Sequence, residues 1–142
     1  MYLKKIVIIF ISHNSRVLMQ LRDINKEIPH AGKWGYFSGG LNKGEDFVKG
    51  AKREIQEELK VKPKKLRYIF PYIHKKNRAL YYVFLGKINI FDIKLSEGLD
   101  YDFFTKTDLF KKIKYSKKVK NNFLVADDET IHFFYNKLSR FI

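Results

Sequence analysis

Residues 39–61 read GGLNKGEDFVKGAKREIQEELKV, and this stretch decides the fold. Glycines at 39, 40 and 44 let the backbone turn tightly. Asp46 stands where a helix N-cap accepts backbone N–H groups. Phe47, Ala51, Ile55 and Leu59 recur every fourth residue, and this apolar stripe predicts a helix over 47–59. Pro63 follows soon after its end. Glu54, Glu57 and Glu58 stand at i, i+3 and i+4, so they project together from a side separate from the stripe. Taken alone, such a helix is amphipathic with a solvated acidic face. The surroundings argue for more. Five of the 15 acidic residues lie between Glu45 and Glu58, in a chain whose formal charge is +14. Three close carboxylates repel one another, and a hard divalent cation removes that repulsion; Mg2+ prefers a few carboxylates together with phosphate oxygens. The glycine loop would bring main-chain carbonyls near the acids. Arg53, four residues before Glu57, can hold a carboxylate through a bidentate contact.

Outward from this helix, strands alternate with turns. Residues 2–12 are β-branched and aromatic and predict a buried strand. His13-Asn14-Ser15 is a turn, and 16–22 is a second strand that completes a hairpin. Residues 23–33 are polar, contain Pro29 and Gly32, and predict a loop. Residues 34–37 form a short strand leading into Gly39-Gly40. Downstream, 66–73 and 79–88 predict paired strands about a turn at Lys75-Lys76-Asn77. Residues 96–102 read as a loop. Thr107 or Asp108 starts a short helix. Asp127-Asp128-Glu129 starts the last one, whose Phe133, Phe134, Leu138 and Phe141 are expected in the core. Residues 111–120 hold six lysines, interrupted by Ile113, Tyr115 and Val119. That run reads as a solvated helix or loop and not as a nucleic-acid arm. Strands outnumber helices, which predicts an α/β (α+β) fold with a mixed sheet and helices on both of its faces.

With 142 residues, 45% of them hydrophobic, the chain is expected to make one domain, 1–142, with a real core. The absence of cysteine excludes disulfides and thiolate chemistry and fits a reducing compartment. Lys4-Lys5 precedes an apolar run over 6–11. This run is too short for a signal peptide, no small-residue cleavage site follows, and a membrane span needs about 18 apolar residues. A cytoplasmic protein with no membrane partner is expected. The positive charge favours nucleotides, nucleic acid or phosphorylated metabolites, although scattered lysines equally suit a plain solvated surface. Unpaired strand edges leave room for a homodimer. His30, His74 and His132 match no metal-ligand spacing and read as structural or surface residues.

Gly39, Glu45, Arg53, Glu54, Glu57 and Glu58, with apolar Ile55 and Val61, resemble the Nudix box, GX5EX7REUXEEXGU, where U is a bulky apolar residue. At roughly 5–7% usage each, the specified residues would coincide on the order of once in ten million windows. Two positions depart. Lys60 replaces the last glycine, a helix C-cap in the left-handed region, at a cost of about 1 kcal/mol. Phe37-Ser38-Gly39 stands where such enzymes often show Pro-Gly-Gly. Residues 18–23, 32–35 and 95–98, the last followed by Phe103-Phe104, are similar more loosely to flanking segments of the family.

The resemblance implies a Nudix-like α/β/α sandwich. It implies a hydrolase acting on phosphoric anhydride bonds, cutting a nucleoside diphosphate linked to another moiety with Mg2+, or Mn2+ in its place. By matching positions, it implies Glu57 and Glu58 as metal ligands, with the Ser38 carbonyl as a third. Glu54 is either a ligand or the general base; Glu97 is the runner-up base, and Asp100 and Asp102 follow. Arg53 orients Glu57 or Glu45. Gly39 and Gly40 would lie along the substrate. Arg22 and Lys33 can meet phosphate. Trp34, Tyr36 and Phe37 offer faces for stacking on a base, although at least two of the three are expected in the core. The substrate is expected to be a nucleoside triphosphate or of nucleotide-sugar type. An RNA 5′ end is the second reading and a non-catalytic nucleotide-binding module the third. The complete glutamate set counts against the third, because binding alone does not need the third carboxylate.

Overall fold

The computed structural model describes residues 2–24, 27–126 and 129–142. In chain order the elements are β1 (Lys4–His13), β2 (Arg16–Leu21), β3 (Trp34–Gly35), β4 (Phe37–Gly40), α1 (Phe47–Leu59), β5 (Lys65–His74), β6 (Ala79–Lys87), β7 (Asp100–Phe104), α2 (Lys106–Phe110), β8 (Ile113–Ser116), β9 (Asn121–Leu124) and α3 (Glu129–Leu138). They form two compact units interleaved along the sequence. The first holds residues up to Ile11 and Phe37–Ser96; the second holds Ser12–Tyr36 and Glu97–Ile142. Parallel and antiparallel pairings occur together with helices, so the fold is the expected α+β type. No helix among the described residues is long and apolar enough to cross a membrane.

In the first unit, β1 is covered on both faces: Val7, Ile8, Ile9, Phe10 and Ile11 are all buried. That explains why this stretch is a continuous apolar run and does not alternate. β1 pairs in parallel with β6, Ile8 opposite Val83, and antiparallel with β4, Ile8 opposite Ser38. β5 adds antiparallel to the far edge of β6, with an irregularity between Tyr68 and Phe70. Helix α1 has the bounds and the Asp46 cap that its stripe predicts; the Asp46 carboxylate accepts from the Val48 N–H at 2.9 Å. Ala51, Ile55 and Leu59 are buried. Phe47 stacks on Tyr82 at 4.4 Å between ring centres and meets Tyr68 edge-on at 4.9 Å. Lys60 closes the helix in the left-handed region, at φ 57°, as the missing glycine would have done. The last carbonyls of α1 would otherwise lack donors. The Lys94 N–H satisfies Leu59 and the Ser96 N–H satisfies Glu58, at 2.9 and 3.0 Å.

In the second unit, the end of β1 joins β2 through Asn14 and Ser15, at φ 49° and 60°, with His13 opposite Arg16. Positive φ at both central residues is the two-residue turn that suits the twist of a hairpin. β2 then pairs with β7 over Val17–Leu21 and with β3 at Gln20 and Leu21. Leu18, Trp34, Phe104, Leu109, Ile131, Phe134 and Leu138 form the core.

Five expectations need correction here. The one short strand expected over 34–37 is two: β3 pairs with β2, and β4, from Phe37, pairs with β1. The loop expected to run to Asp102 ends sooner, because β7 starts at Asp100. The buried Asp100 carboxylate accepts from Ser116 Oγ at 2.7 Å and from its neighbour's N–H, so a turn-type acid fits a strand. The short helix begins at Lys106, capped by Thr105 in a capping box with Asp108. The lysine-rich run is neither helix nor plain loop: it forms β8 and the turn that leads into β9, and the two strands pair with each other. In the last helix Phe134 and Leu138 are buried as expected, but Phe133 is 42% exposed, and Phe141, beyond the helix end, is only half-buried. Glu129 opens α3. Asp127 and Asp128, expected at its start, lie outside the described residues.

Candidate active site

The site residues of the first unit are assembled by β4 and α1. β4 lies along β1, with Val7 opposite Gly39 and Ile6 opposite Gly40, and the Leu41 N–H donates to the Lys5 carbonyl at 2.9 Å. The β-branched run of β1 thus fixes the backbone of Ser38, Gly39 and Gly40. Immediately after, the Asn42 N–H donates to Glu45 Oε1 at 3.1 Å, and the Glu45 N–H returns to the Asn42 carbonyl at 3.0 Å.

Arg53 ties this loop to the helix. Its Nε donates to Glu45 Oε2 and its Nη2 to Glu45 Oε1, both at 2.9 Å, a fork-on-fork pair. Nη2 also donates to the Gly40 carbonyl at 2.9 Å. Nη1 donates to Glu54 Oε1 at 3.0 Å and to Glu57 Oε2 at 3.1 Å. A guanidinium has five N–H donors, and these bonds use its full capacity. Arg53 therefore holds Glu45 and Glu57 together with Glu54 and a loop carbonyl, and is far more than a lone surface ion pair.

Glu54 is the surprise. The helical wheel sets it on the acidic side, yet it is buried, 8% exposed, while Glu57 faces solvent. Gly39 makes that burial possible: a Cβ there would overlap the Glu54 carboxyl. The signal lay in the spacing of Gly39 and Glu54, but only the strand-over-helix packing says what the glycine is for. Ser38, Glu54 and Glu58 also line one enclosed cavity of about 10 Å³, floored by Ile9, Ile11, Phe37, Ile55 and Leu59. That volume is near the least that holds one water.

The electrostatics follow the packing. The Arg53 hydrogen bonds, helped by the Asn42 N–H, hold the Glu45 carboxyl at about 2. Burial pushes the Glu54 carboxyl up, and Arg53 offsets only part of this. Glu45 above all raises Arg53 further into its charged range.

The donors gathered here are hard oxygens, the chemistry that suits a Mg2+-type cation. Arg53 engages one oxygen of Glu54 and one of Glu57. Among the described residues no three acidic or histidine side chains converge as a ready-made metal cluster. The donor set fits a divalent cation in kind, and Glu54, Glu57, Glu58 and the Ser38 carbonyl are the groups that would hold it.

The other expected residues lie in the second unit, apart from Phe37. Trp34 is fully buried; its Nε1 donates to the Lys114 carbonyl at 3.1 Å and its ring packs on Phe104 at 5.2 Å. Phe37 is 3% exposed. Neither can offer a face to a base: both are core residues. Tyr36 is half-buried, its hydroxyl 2.9 Å from Thr130 Oγ1. Arg22 keeps a buried Nε without an acceptor among the described residues. Lys33 is half-buried, and its carbonyl accepts from the Arg22 N–H at 3.0 Å. Glu97 is exposed in the bend before β7. Asp100 and Asp102 have structural partners, Ser116 and Lys114 respectively. His132 bonds the Leu109 carbonyl and stacks on Phe110, and the His74 Nδ1 accepts from the Asn77 N–H, so both are structural.

The NUDIX domain model matches residues 1–124, and the chain belongs to this family, whose members hydrolyse phosphoric anhydride bonds and generally use a divalent cation. A NUDIX hydrolase from Nitrosomonas europaea is 26% identical, with a TM-score of 0.65 over 78% of this chain and 61% of that one. The chain thus spans somewhat less than two thirds of that relative's length. A MutT protein from Methanosarcina mazei is 24% identical, with a TM-score of 0.57 over 72% and 76% of the two chains. A MutT NUDIX hydrolase from Burkholderia pseudomallei is 18% identical, with a TM-score of 0.60 over 84% and 96%. These last two likenesses speak for the fold. A comparison with curated proteins found no significant match.

Proposed function

We propose that residues 1–142 make one Mg2+-dependent pyrophosphohydrolase domain. It cleaves a nucleoside diphosphate linked to another moiety, of nucleoside triphosphate or nucleotide-sugar type. The observation that carries this reading is the carboxylate set ordered by Arg53 around Ser38 and Gly39. Arg53 alone bonds three glutamates, Glu45, Glu54 and Glu57, so this cluster carries surplus negative charge wherever all are ionised, which a bound cation would balance. When bound, a divalent ion would neutralise phosphate charge and orient water.

In this reading Glu57 and Glu58, with the Ser38 carbonyl, would hold the ion. Water attacks one phosphorus, the bridging P–O bond breaks, and the water's proton passes to a carboxylate, Glu54 first and Glu97 second. A positioned base contributes about 10²–10⁴-fold. Gly40 lies along the substrate path as Gly39 does, its carbonyl held by Arg53. Arg22 and Lys33 meet phosphate, and Tyr36 is the remaining aromatic for a base. Mn2+ can replace Mg2+. The compartment is the cytoplasm, with no membrane partner, and two copies can pair through strand edges.

The test is turnover on nucleoside triphosphates, nucleotide sugars, dinucleoside polyphosphates and 5′-triphosphorylated RNA, with Mg2+ and with Mn2+. Glu57→Gln and Glu58→Gln should each abolish metal-dependent product release while the melting temperature holds. Wild-type turnover in both variants sinks the site. Cleavage of the RNA alone moves the substrate to RNA 5′ ends. Cleavage of nothing by folded protein leaves a binding module.

A further inference from the structure

Residues 109–126 contain six lysines and no acidic residue. Within them, residues 113–124 fold as the β8–β9 ribbon, with Ile113 opposite Leu124 and Tyr115 opposite Asn122. Side chains alternate across a strand, so these four share one face. Ile113, Tyr115 and Leu124 are each about half exposed there. Lys114 points to the other face, where its ammonium meets Asp108 at 3.1 Å. The other five lysines meet no carboxylate among the described residues.

The tip of the ribbon is built, not loose. The Ser116 hydroxyl is anchored on the buried Asp100 carboxylate and accepts the Val119 N–H at 3.1 Å; the Lys120 N–H donates to the Ser116 carbonyl at 2.8 Å. Lys117, Lys118 and Lys120 are therefore displayed on a fixed turn, which lowers the ordering cost of binding.

We propose that this ribbon is a docking surface for single-stranded nucleic acid, with the tip lysines on phosphates and Tyr115 stacking on a base. Paired charge and an aromatic face are what sequence-tolerant strand binding requires. A second copy is disfavoured, because it would oppose five lysines to five. A membrane is disfavoured, because the exposed apolar side chains are split, Val119 alone among the tip lysines and Ile113 and Leu124 at the far end of the ribbon. The inference is independent of the hydrolytic reading.

The test is anisotropy of a fluorescent, unstructured 20-nucleotide RNA, and the matching DNA, on the full chain in EDTA over a range of salt. Each phosphate contact contributes about 0.7 to the salt slope on a single strand, so Lys117→Ala/Lys118→Ala/Lys120→Ala should lower the slope by about 2 and weaken binding about tenfold or more. Lys62→Ala/Lys75→Ala/Lys76→Ala removes equal charge from the first unit and should leave both unchanged. Tyr115→Ala should weaken binding about tenfold and Tyr115→Phe should restore it. Equal losses in the two triple variants overturn the proposal, as would binding to phosphatidylserine vesicles but not to RNA or DNA.

Discussion

Arg53 in the first unit and Lys114 in the second each gather carboxylates around a single cation, but the surroundings differ. Lys114 lies 3.1 Å from Asp108, 3.8 Å from Asp102 and 4.9 Å from the centre of the Phe104 ring. Its acids have other duties: Asp108 caps α2 with Thr105, and Asp102 accepts the Phe103 N–H. Around Arg53 the acids outnumber the cation, and Glu54 and Glu57 each keep an oxygen with no partner among the described residues. A count of acids cannot separate these clusters. The acceptor capacity left over can.

Four experiments would break or sharpen that contrast. The largest effect is on turnover: Glu57→Gln should lose about 10²-fold or more, whereas Asp102→Asn should stay within about threefold in a steady-state assay. Comparable losses would erase the distinction. Next comes the glycine strand. Gly39→Ala forces a Cβ against the Glu54 carboxyl and should cost about 1–3 kcal/mol in urea unfolding, as overpacking does. Gly40→Ala meets nothing within 4 Å and should be nearly neutral. Third, Arg53→Ala should cost about 1–2 kcal/mol, discounted because its side chain is a quarter exposed, and added Mg2+ should recover part of it. Lys114→Ala should cost less than about 1 kcal/mol with no response to Mg2+.

The smallest effect is on pH dependence. Glu45 is held at about 2 against the usual 4.5, so the native state binds fewer protons than the unfolded chain. The stability this gives is present above about 4.5 and is lost as pH falls towards 2. Asp108 has the same sign: burial works to raise it, but the Thr105 N–H and the Lys114 ammonium outweigh burial and lower it. Glu54 has the opposite sign, since its raised carboxyl favours the fold below its usual range and loses that contribution as pH rises. Glu45→Gln and Asp108→Asn should each flatten the acid arm of a urea-stability profile. An unchanged arm in Glu45→Gln would mean that Arg53 does not hold that carboxylate.

The legible parts of this chain are local ones. Asp46, the four-residue stripe and the box were enough to draw α1 with its cap and to group the glutamates. The β1–β2 hairpin likewise lies in adjacent residues. What stayed hidden depends on distant partners. Asp100 sits in a strand because Ser116 waits for it sixteen residues on. Trp34 is core because of Lys114 and Phe104. The lysines at 111–120 masked the period-two order of Ile113-Lys114-Tyr115-Ser116, in which Lys114 and Ser116 turn inward. Helical spacing showed that Arg53 can reach Glu57, but not that it would also grip the Gly40 carbonyl.

Lys60, held left-handed where glycine would sit without strain, leaves this protein with an unused margin. Lys60→Gly should add about 1 kcal/mol, roughly a fivefold shift in the folded-to-unfolded ratio, without touching a carboxylate. That single change supplies a sturdier background, in which variants at Gly39 and Arg53 can be assayed for chemistry after the loss of fold they cause has been offset.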